Sequence, residues 1–582
     1  MSRGSADAGT QQSSQHAASA ARAQADDDGL ANLSVMTRGE IEAMIADGRK
    51  LMIFRQQVLK VDSWLPYHPG GQKALLHMVG RDATDEIVAL HSQEAQQQML
   101  RYRIGKIEGP WTNFIPPIQG GIFRALAEIP QDSEDPDSDT TSLDMSSSIF
   151  TTMSSATSLD EDQNDIQSRP EKTAPPPTSS ASIAAQDLDG MSYLDAITHE
   201  KIELDLEKYP AVDASTQAQI VSEFRELRQR LDAAGLFKTH YSNYAIECCR
   251  YVSLFVMAIV WVRCGWYALG GALIGFMWHQ LVFTAHDAGH MGITHGYHTD
   301  TLIGIFIADF IGGLSMCWWK ENHNVHHIVT NQPEHDPDIE HMPIFAVSHR
   351  LLGSLRSTYY DRVMEYDAFA KVLLRIQPWT YYPFLAFGRF NLYVLSWEYV
   401  IKGRGPRKGP AAWHRWMEVA GQIFFWIWFG YGIVYRMIPD NWSRFVFVMV
   451  SHMAASPLHV QIVLSHFAMS TTDLGPQESF AQKQLRTTMD VDCPTWLDFL
   501  HGGLQFQAIH HLFPRMPRHN LRQAQPFVRE FCAKVGIPYA YYGFARGNKE
   551  VIGRLAEVSR QAAILSKCKQ SIVESGNPFG HH

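Results

Sequence analysis

Seven histidines and a glutamine stand in three short strings whose spacing gathers their side chains. HDAGH places His286 and His290 four residues apart, on one face of a helix. HNVHH carries His323, His326 and His327, and QAIHH carries Gln507, His510 and His511 at the same i, i+3, i+4 spacing. Imidazoles aimed at one point are the raw material of a metal site. A set rich in nitrogen and poor in carboxylate suits iron and argues against magnesium or calcium. Zinc takes four ligands, about half of what these strings offer, so two iron ions are the economical reading. A pair of irons can activate O2 and take hydrogen from an unactivated CH2 group, chemistry that no amino-acid side chain supplies.

A second histidine pair has another character. In WLPYHPGGQKALLHMVGRDATDEIVALHS, His68 precedes Pro69 and the pair Gly70–Gly71, which permit a tight turn that leaves the imidazole outside any helix. Two short helical patterns, 73–79 and 84–90, separate it from His91 and can form the walls of a crevice. Imidazoles from opposite walls fill both axial positions of a haem iron. Such an iron has no open site, so it passes electrons instead of binding O2.

These ligands need two kinds of scaffold. Apolar runs at 244–262 and 264–285, broken by Arg263 and Gly265, recur at 301–319, 378–401, 418–438 and 444–469. A bilayer core asks for about 20 apolar residues per helix, so the mean hydropathy of −0.18 hides a membrane protein behind polar tails. All three strings must meet on one side of the bilayer. The hairpins at 244–285 and 418–469 each return the chain to its starting side. A crossing by 301–319 would strand HNVHH on the far face. That run, with Asp309 and its glycines, is therefore expected to lie at the interface or to re-enter. The basic cluster Lys402, Arg404, Arg407, Lys408, Arg415 marks the cytosolic side.

Residues 203–232 have the spacing of a charged amphipathic helix (Phe224, Leu227, Leu231), suited to a membrane surface. The stretch 129–190, rich in Ser, Thr, Asp, Glu and Pro, reads as a solvated acidic tether. A net charge of −10 excludes a strongly basic nucleic-acid binder. Seven cysteines without a C-x-x-C exclude a disulfide framework or thiolate cage. The N-terminal residues lack the apolar core of a secretory signal.

The haem string resembles cytochrome b5, with its H-P-G-G loop, the turn at Gly80–Thr84 and a second L-H-S at Leu90–Ser92. The resemblance implies a small α+β fold holding haem b between His68 and His91. It also sets Asp82, Asp85, Glu86 and Glu94 near the haem edge, where acid suits a basic NADH-cytochrome b5 reductase. The three histidine boxes, in this order, resemble the membrane fatty-acid desaturase superfamily. The haem domain and the glutamine that opens the third box are similar to front-end desaturases. HNVHHIVTNQPEHDPDI and HGGLQFQAIHHLFPRMPRHNL look most like fungal sphingolipid delta-8 desaturases.

The expected architecture is an α+β cytochrome b5-like domain fused to an all-α polytopic membrane domain of about four transmembrane helices plus interfacial or re-entrant helices. Its divisions are a disordered 1–31, the haem domain 32–110, an acidic linker 111–200, a pre-membrane helix 201–243, the di-iron domain 244–545 and a tail 546–582. The resemblance implies O2-dependent desaturation at carbon 8 of the sphingoid base of ceramide or glucosylceramide, at the endoplasmic reticulum membrane, with haem domain and irons on the cytosolic side. Ala508 and Ile509 depart from the Q-I-E-H-H of front-end acyl desaturases but leave Gln507, His510 and His511 in place. By resemblance to stearoyl-type desaturases, His466 is a further candidate iron ligand. Asp336 and Asp338 are candidates to orient ligand imidazoles or to cap a turn. The competing readings are a front-end acyl desaturase and a haem-fused lipid hydroxylase.

Overall fold

A computed structural model describes residues 33–126 and 190–575, with side chains from 192 to 568 in the second stretch. The expected disordered terminus and most of the acidic tether lie outside the described residues.

The haem domain is built on a three-stranded antiparallel sheet, Leu51–Phe54, Gln57–Lys60 and Arg103–Lys106, with the middle strand second in sequence. A helix at Arg38–Ala46 starts on a capping box between Thr37 and Glu40. It packs Ile41 and Ile45 with Leu51, Ile53, Val58 and Val79 into the small core. Beyond the sheet, the short helices Gln72–Leu76 and Thr84–Leu90 form the crevice walls. The domain runs past residue 110. Trp111 donates its indole N–H to Gly80 O at 3.0 Å, and Arg124 pairs with Glu42 at 2.9 Å. Residues 111–126 are thus packed against this domain and are not linker.

Among the described residues, four helices are long and apolar enough to cross a bilayer: Tyr241–Arg263, Tyr267–Gly289, His414–Tyr435 and Asn441–Phe467. The second and fourth approach closely because the second turns Gly271 and Gly275 toward its neighbour. A Cβ on Gly271 would lie 2.7 Å from Phe447 O, and one on Gly275 would collide with the Ser451 carbonyl. The run at 301–319 does not form a straight span. Helix Tyr297–Ile311 gives way to helix Met316–Ile328 at a bend of 118°, as the requirement that the boxes share one side demands.

Buried carboxylates hold that bend. Asp309 accepts the Met316 N–H at 3.2 Å and a Gln422 amide hydrogen at 3.1 Å. Glu418 accepts the Ser315 O–H and the Cys317 N–H, each at 2.8 Å. Free N–H groups at a helix start in an apolar setting need such acceptors; Asp309 supplies one from the helix before the bend and Glu418 another from the third span. The aromatic stretch 378–401 divides between helices Ala368–Ala386 and Gly388–Lys402, and neither qualifies as a span by length and composition.

Further expectations are corrected. The amphipathic helix, Ala214–Ala233, turns Phe224, Leu227 and Leu231 not to a membrane but onto Leu485, Ile509, Leu512, Phe513 and Val528, behind the third box. It is preceded by a separate helix, Gly190–Lys208, which begins inside the range read as linker and ends inside the range read as pre-membrane helix. The described part of the expected tail 546–582 is instead a long helix, Phe544–Ser575. Its Val551, Leu555, Val558, Ala562 and Leu565 are buried. Their alternating spacing of four and three is a helical stripe that the polar average of the segment conceals.

Candidate metal centre and haem crevice

The first box occupies the last turn of the second span, where the chain leaves the apolar layer. The second lies on helix Met316–Ile328 and the third on the short helix Gln507–Leu512. The third helix is fixed at its start by Asp490, which accepts the Ala508 N–H at 2.8 Å. Asp490 lies on a short strand paired in parallel with Tyr541–Gly543, and it also accepts the Tyr539 O–H.

The box histidines converge into two groups. One ligand atom from each of His286, His290, His323 and His510 lies within 4.8 Å of the others, and the same holds for His326, His466 and His511. His327 stands between the groups, its ring 4.7 Å from that of His290 and 4.2 Å from that of His511. Its Nε2 is 3.1 Å from His323 Nε2. Nε2 of His286, His290, His510 and His511, Nδ1 of His466 and Oε1 of Gln507 are all buried without a hydrogen-bond partner. Buried polar atoms are almost always paired. So many orphans facing one another fit two metal ions with nitrogen-rich shells.

The far sides of several rings are held. Asp336, fully buried, receives the His326 Nδ1 at 2.8 Å and also the N–H groups of Asn331 and Asp338 at 2.7 and 2.9 Å. It therefore orients an imidazole and caps a turn together. Asp338 approaches both His323 and His326 at 3.8 Å.

Two supports were not read from the sequence. Gln484 meets His511 Nδ1 at 2.9 Å through Oε1 and donates to His327 O at 2.8 Å. Arg518 pairs with Asp287 inside the first box and with Glu247 on the first span. A glutamine and an arginine have no ligand spacing to betray them. His279, His295, His298, His335, His341, His452 and His459 stand outside both groups. His459, for example, bonds Leu385 O at 2.9 Å, and His452 stacks on Phe390.

In the haem domain, His68 follows a short 3-10 turn and His91 ends helix Thr84–Leu90. Their rings face each other with centroids 5.9 Å apart. Two metal–imidazole bonds of about 2 Å each fit into that gap. The outer nitrogens are tied to backbone, His68 Nδ1 to Gly71 O at 2.8 Å and His91 Nδ1 to Ile87 O at 3.2 Å. That leaves both Nε2 lone pairs to the crevice. Burial, first of all, and the neighbouring His68 hold His91 down at about 3, hence neutral as a ligand must be. Of the acids expected at the haem edge, three face their own chain: Asp85 binds Arg225 at 2.8 Å, Asp82 caps Thr84 at 3.0 Å, and burial pushes Glu86 up to about 7; Glu94 acts on Arg515.

Residues 37–108 match the family Cytochrome b5-like Heme/Steroid binding domain, and residues 265–543 match the family Fatty acid desaturase. The Delta 8-(E)-sphingolipid desaturase of Emericella nidulans is 57% identical, over 94% of this chain and 99% of its own. That of Kluyveromyces lactis is 46% identical, over 94% and 96%. The Acyl-lipid (9-3)-desaturase of Borago officinalis is 34% identical, over 60% of this chain and 78% of its own. With both domains matched and the first relatives covered almost end to end, the chain belongs to the family of cytochrome b5-fused sphingolipid desaturases.

Proposed function

We propose that the protein introduces an E double bond between carbons 8 and 9 of the sphingoid base of ceramide or glucosylceramide. The observation that carries this reading is the near full-length likeness to relatives named for that reaction, joined to two histidine groups that fit two irons. The fall to 34% identity, over a shorter stretch, against an acyl-lipid enzyme favours the sphingolipid branch over the acyl one. Electrons would come from NADH-cytochrome b5 reductase, pass through haem b between His68 and His91, and serve O2 reduction by the paired irons that remove two hydrogens.

The chain's own residues divide the remaining work. His286, His290, His323 and His510 form one ligand group, and His326, His466 and His511 the other, with His327 and Gln507 beside them. Asp336 and Gln484 fix ring orientation, a role that sets ligand strength and geometry. The buried surroundings exclude water from an oxidising centre. Asn324, on the second-box helix, donates to Gly70 O of the haem loop at 3.4 Å, so haem domain and boxes share one side. The basic cluster at 402–415 favours the cytosol for that side, and the lipid substrate and its reductase suit the endoplasmic reticulum.

The test is lipid mass spectrometry of a yeast that lacks this activity, expressing either the chain or its His510→Ala variant. A new 8,9-unsaturated base, absent with the variant, is expected. Altered fatty acids with unchanged bases would transfer the protein to the acyl branch, and a hydroxylated base would make it a hydroxylase.

A further inference from the structure

The second-box helix has two working faces. One presents His323, His326 and His327 to the metal groups. The other meets the haem domain at Glu321 and Asn324. A Cβ on Gly71 would lie 2.6 Å from Glu321 Cγ, and one on Gly70 would lie 2.6 Å from Asn324 Nδ2. The paired glycines beside His68 therefore permit close docking as well as a turn.

Lys320 lies one turn before Asn324 on that same docking face. It is only 7% exposed, it sits over the Tyr297 ring at 5.1 Å, and its ammonium is buried with no hydrogen-bond partner. Arg515 follows the third box, and its Nε is likewise buried and unpartnered. The Lys320 ammonium has no hydrogen-bonded partner, and the carboxylates that act on the two cations are Asp300 on both and Glu94 on Arg515. Both charges reach His91, and Lys320 also feels Arg515. A buried cation without a hydrogen-bonded partner is costly, and the half-buried Arg515 adds a second positive charge that acts on Lys320. Both charges act on His91 at the crevice, where an anionic ligand with two negative groups would compensate them.

We propose that Lys320 and Arg515 of the desaturase domain bind the two propionate carboxylates of the haem, so that the cofactor is shared between both domains. The proposal rests on the reading of His68 and His91 as haem ligands. It makes the haem part of the joint that seats the H-P-G-G loop on the second-box helix. Lys320 and Arg515 are positioning residues: they act on the cofactor's carboxylates and leave the iron ligands alone.

The measurement is haem transfer from the full-length, detergent-solubilised protein to excess apomyoglobin, with the haem midpoint potential recorded in parallel. A charge-assisted hydrogen bond carries enough energy that Lys320→Gln or Arg515→Gln should each release haem about tenfold faster. The midpoint potential should fall in both, because uncompensated carboxylates favour ferric haem. Lys320→Arg should restore both quantities. Apoprotein reconstituted with haem dimethyl ester, which lacks the charges, should release it equally fast from parent and variants. Parent-like release and potential in both Gln variants would overturn the proposal, and so would a defect that persists with the ester. Absence of a bis-imidazole spectrum in the parent would instead sink the haem reading on which it rests.

Discussion

The haem crevice and the metal centre are both made of histidine, but they hold it by opposite means. In the crevice, both ligands come from one short stretch, and each outer nitrogen is tied to a carbonyl of its own neighbourhood, Gly71 O and Ile87 O. In the centre, seven box histidines and His466 come from four distant segments. Their outer supports are side chains remote in sequence, Gln484 for His511 among them. A locally closed pair of axial ligands needs nothing from the other domain to be oriented, even where the propionates are shared with it. A site assembled from span ends exists only when the membrane helices, the 118° bend and the cap behind the third box are all in place.

The sharpest way to separate the two is to break one and watch the other. His510→Ala should abolish 8-unsaturated base entirely while leaving the low-spin haem spectrum of the parent. His68→Ala should do the reverse to the spectrum, and should restore product when free cytochrome b5 is supplied. Loss of haem in the first variant, read by absorption spectroscopy, would show that the two sites are not independent.

Next in size is the support of a ligand. Removing a carboxylate that orients a metal-bound imidazole typically costs about 10–100-fold in metal affinity or activity. Asp336→Asn should fall in that range by iron content and product yield. No crevice ligand offers an equivalent side-chain target, since its partners are backbone carbonyls. Equal activity of the Asp336→Asn protein would mean that the turn at Asn331, and not the carboxylate charge, positions His326.

The same contrast decides what could be read from the sequence. His68 and His91 and the three boxes were visible because ligand spacing on a helix or around a tight turn is local. That 301–319 is not a straight span was also legible, because a plain crossing would strand HNVHH away from the other boxes. Gln484, Arg518, Glu418 and Asp490 were not, since each earns its role only by meeting a residue from another segment. The amphipathic stripe Phe224, Leu227, Leu231 was seen, but its partner was misjudged: a stripe states that a face is covered, not by what. The helix Phe544–Ser575 was missed for the opposite reason, its apolar positions being diluted by Arg, Lys and Gln between them.

Within the haem domain, Glu86 gives a test by pH. Burial raises its folded carboxyl to about 7, opposed by Arg81, above the ordinary value of about 4.3 in an unfolded chain. The native state then binds more protons than the unfolded state between those values, so stability is present below the lower value and is lost as pH rises through the upper one. Thermal melts followed at the haem band should decline from pH 5 to pH 8. Glu86→Gln should flatten that decline and melt above the parent at pH 8. An unchanged slope would place the titrating group elsewhere.

The smallest effect is expected at the seam between the two regions. Arg225 reaches Asp85 from the helix behind the third box, with 47% of its side chain exposed against 11% for the aspartate. Partly exposed pairs of this kind contribute about 0–1 kcal/mol, and salt screens them over about 8 Å at physiological strength. Arg225→Ala should therefore slow haem-dependent desaturation by no more than a few-fold, and the difference should vanish in high salt. A large, salt-insensitive loss would mean that docking of the haem domain hangs on this one pair. Against that stands the rest of the seam, where Asn324 meets Gly70, Lys73 pairs with Asp361 at 2.7 Å, and the Asn113 amide bonds Pro476 O at 2.9 Å. Contacts spread over three segments of the haem domain make its seating redundant, which is the tolerance that the metal centre lacks.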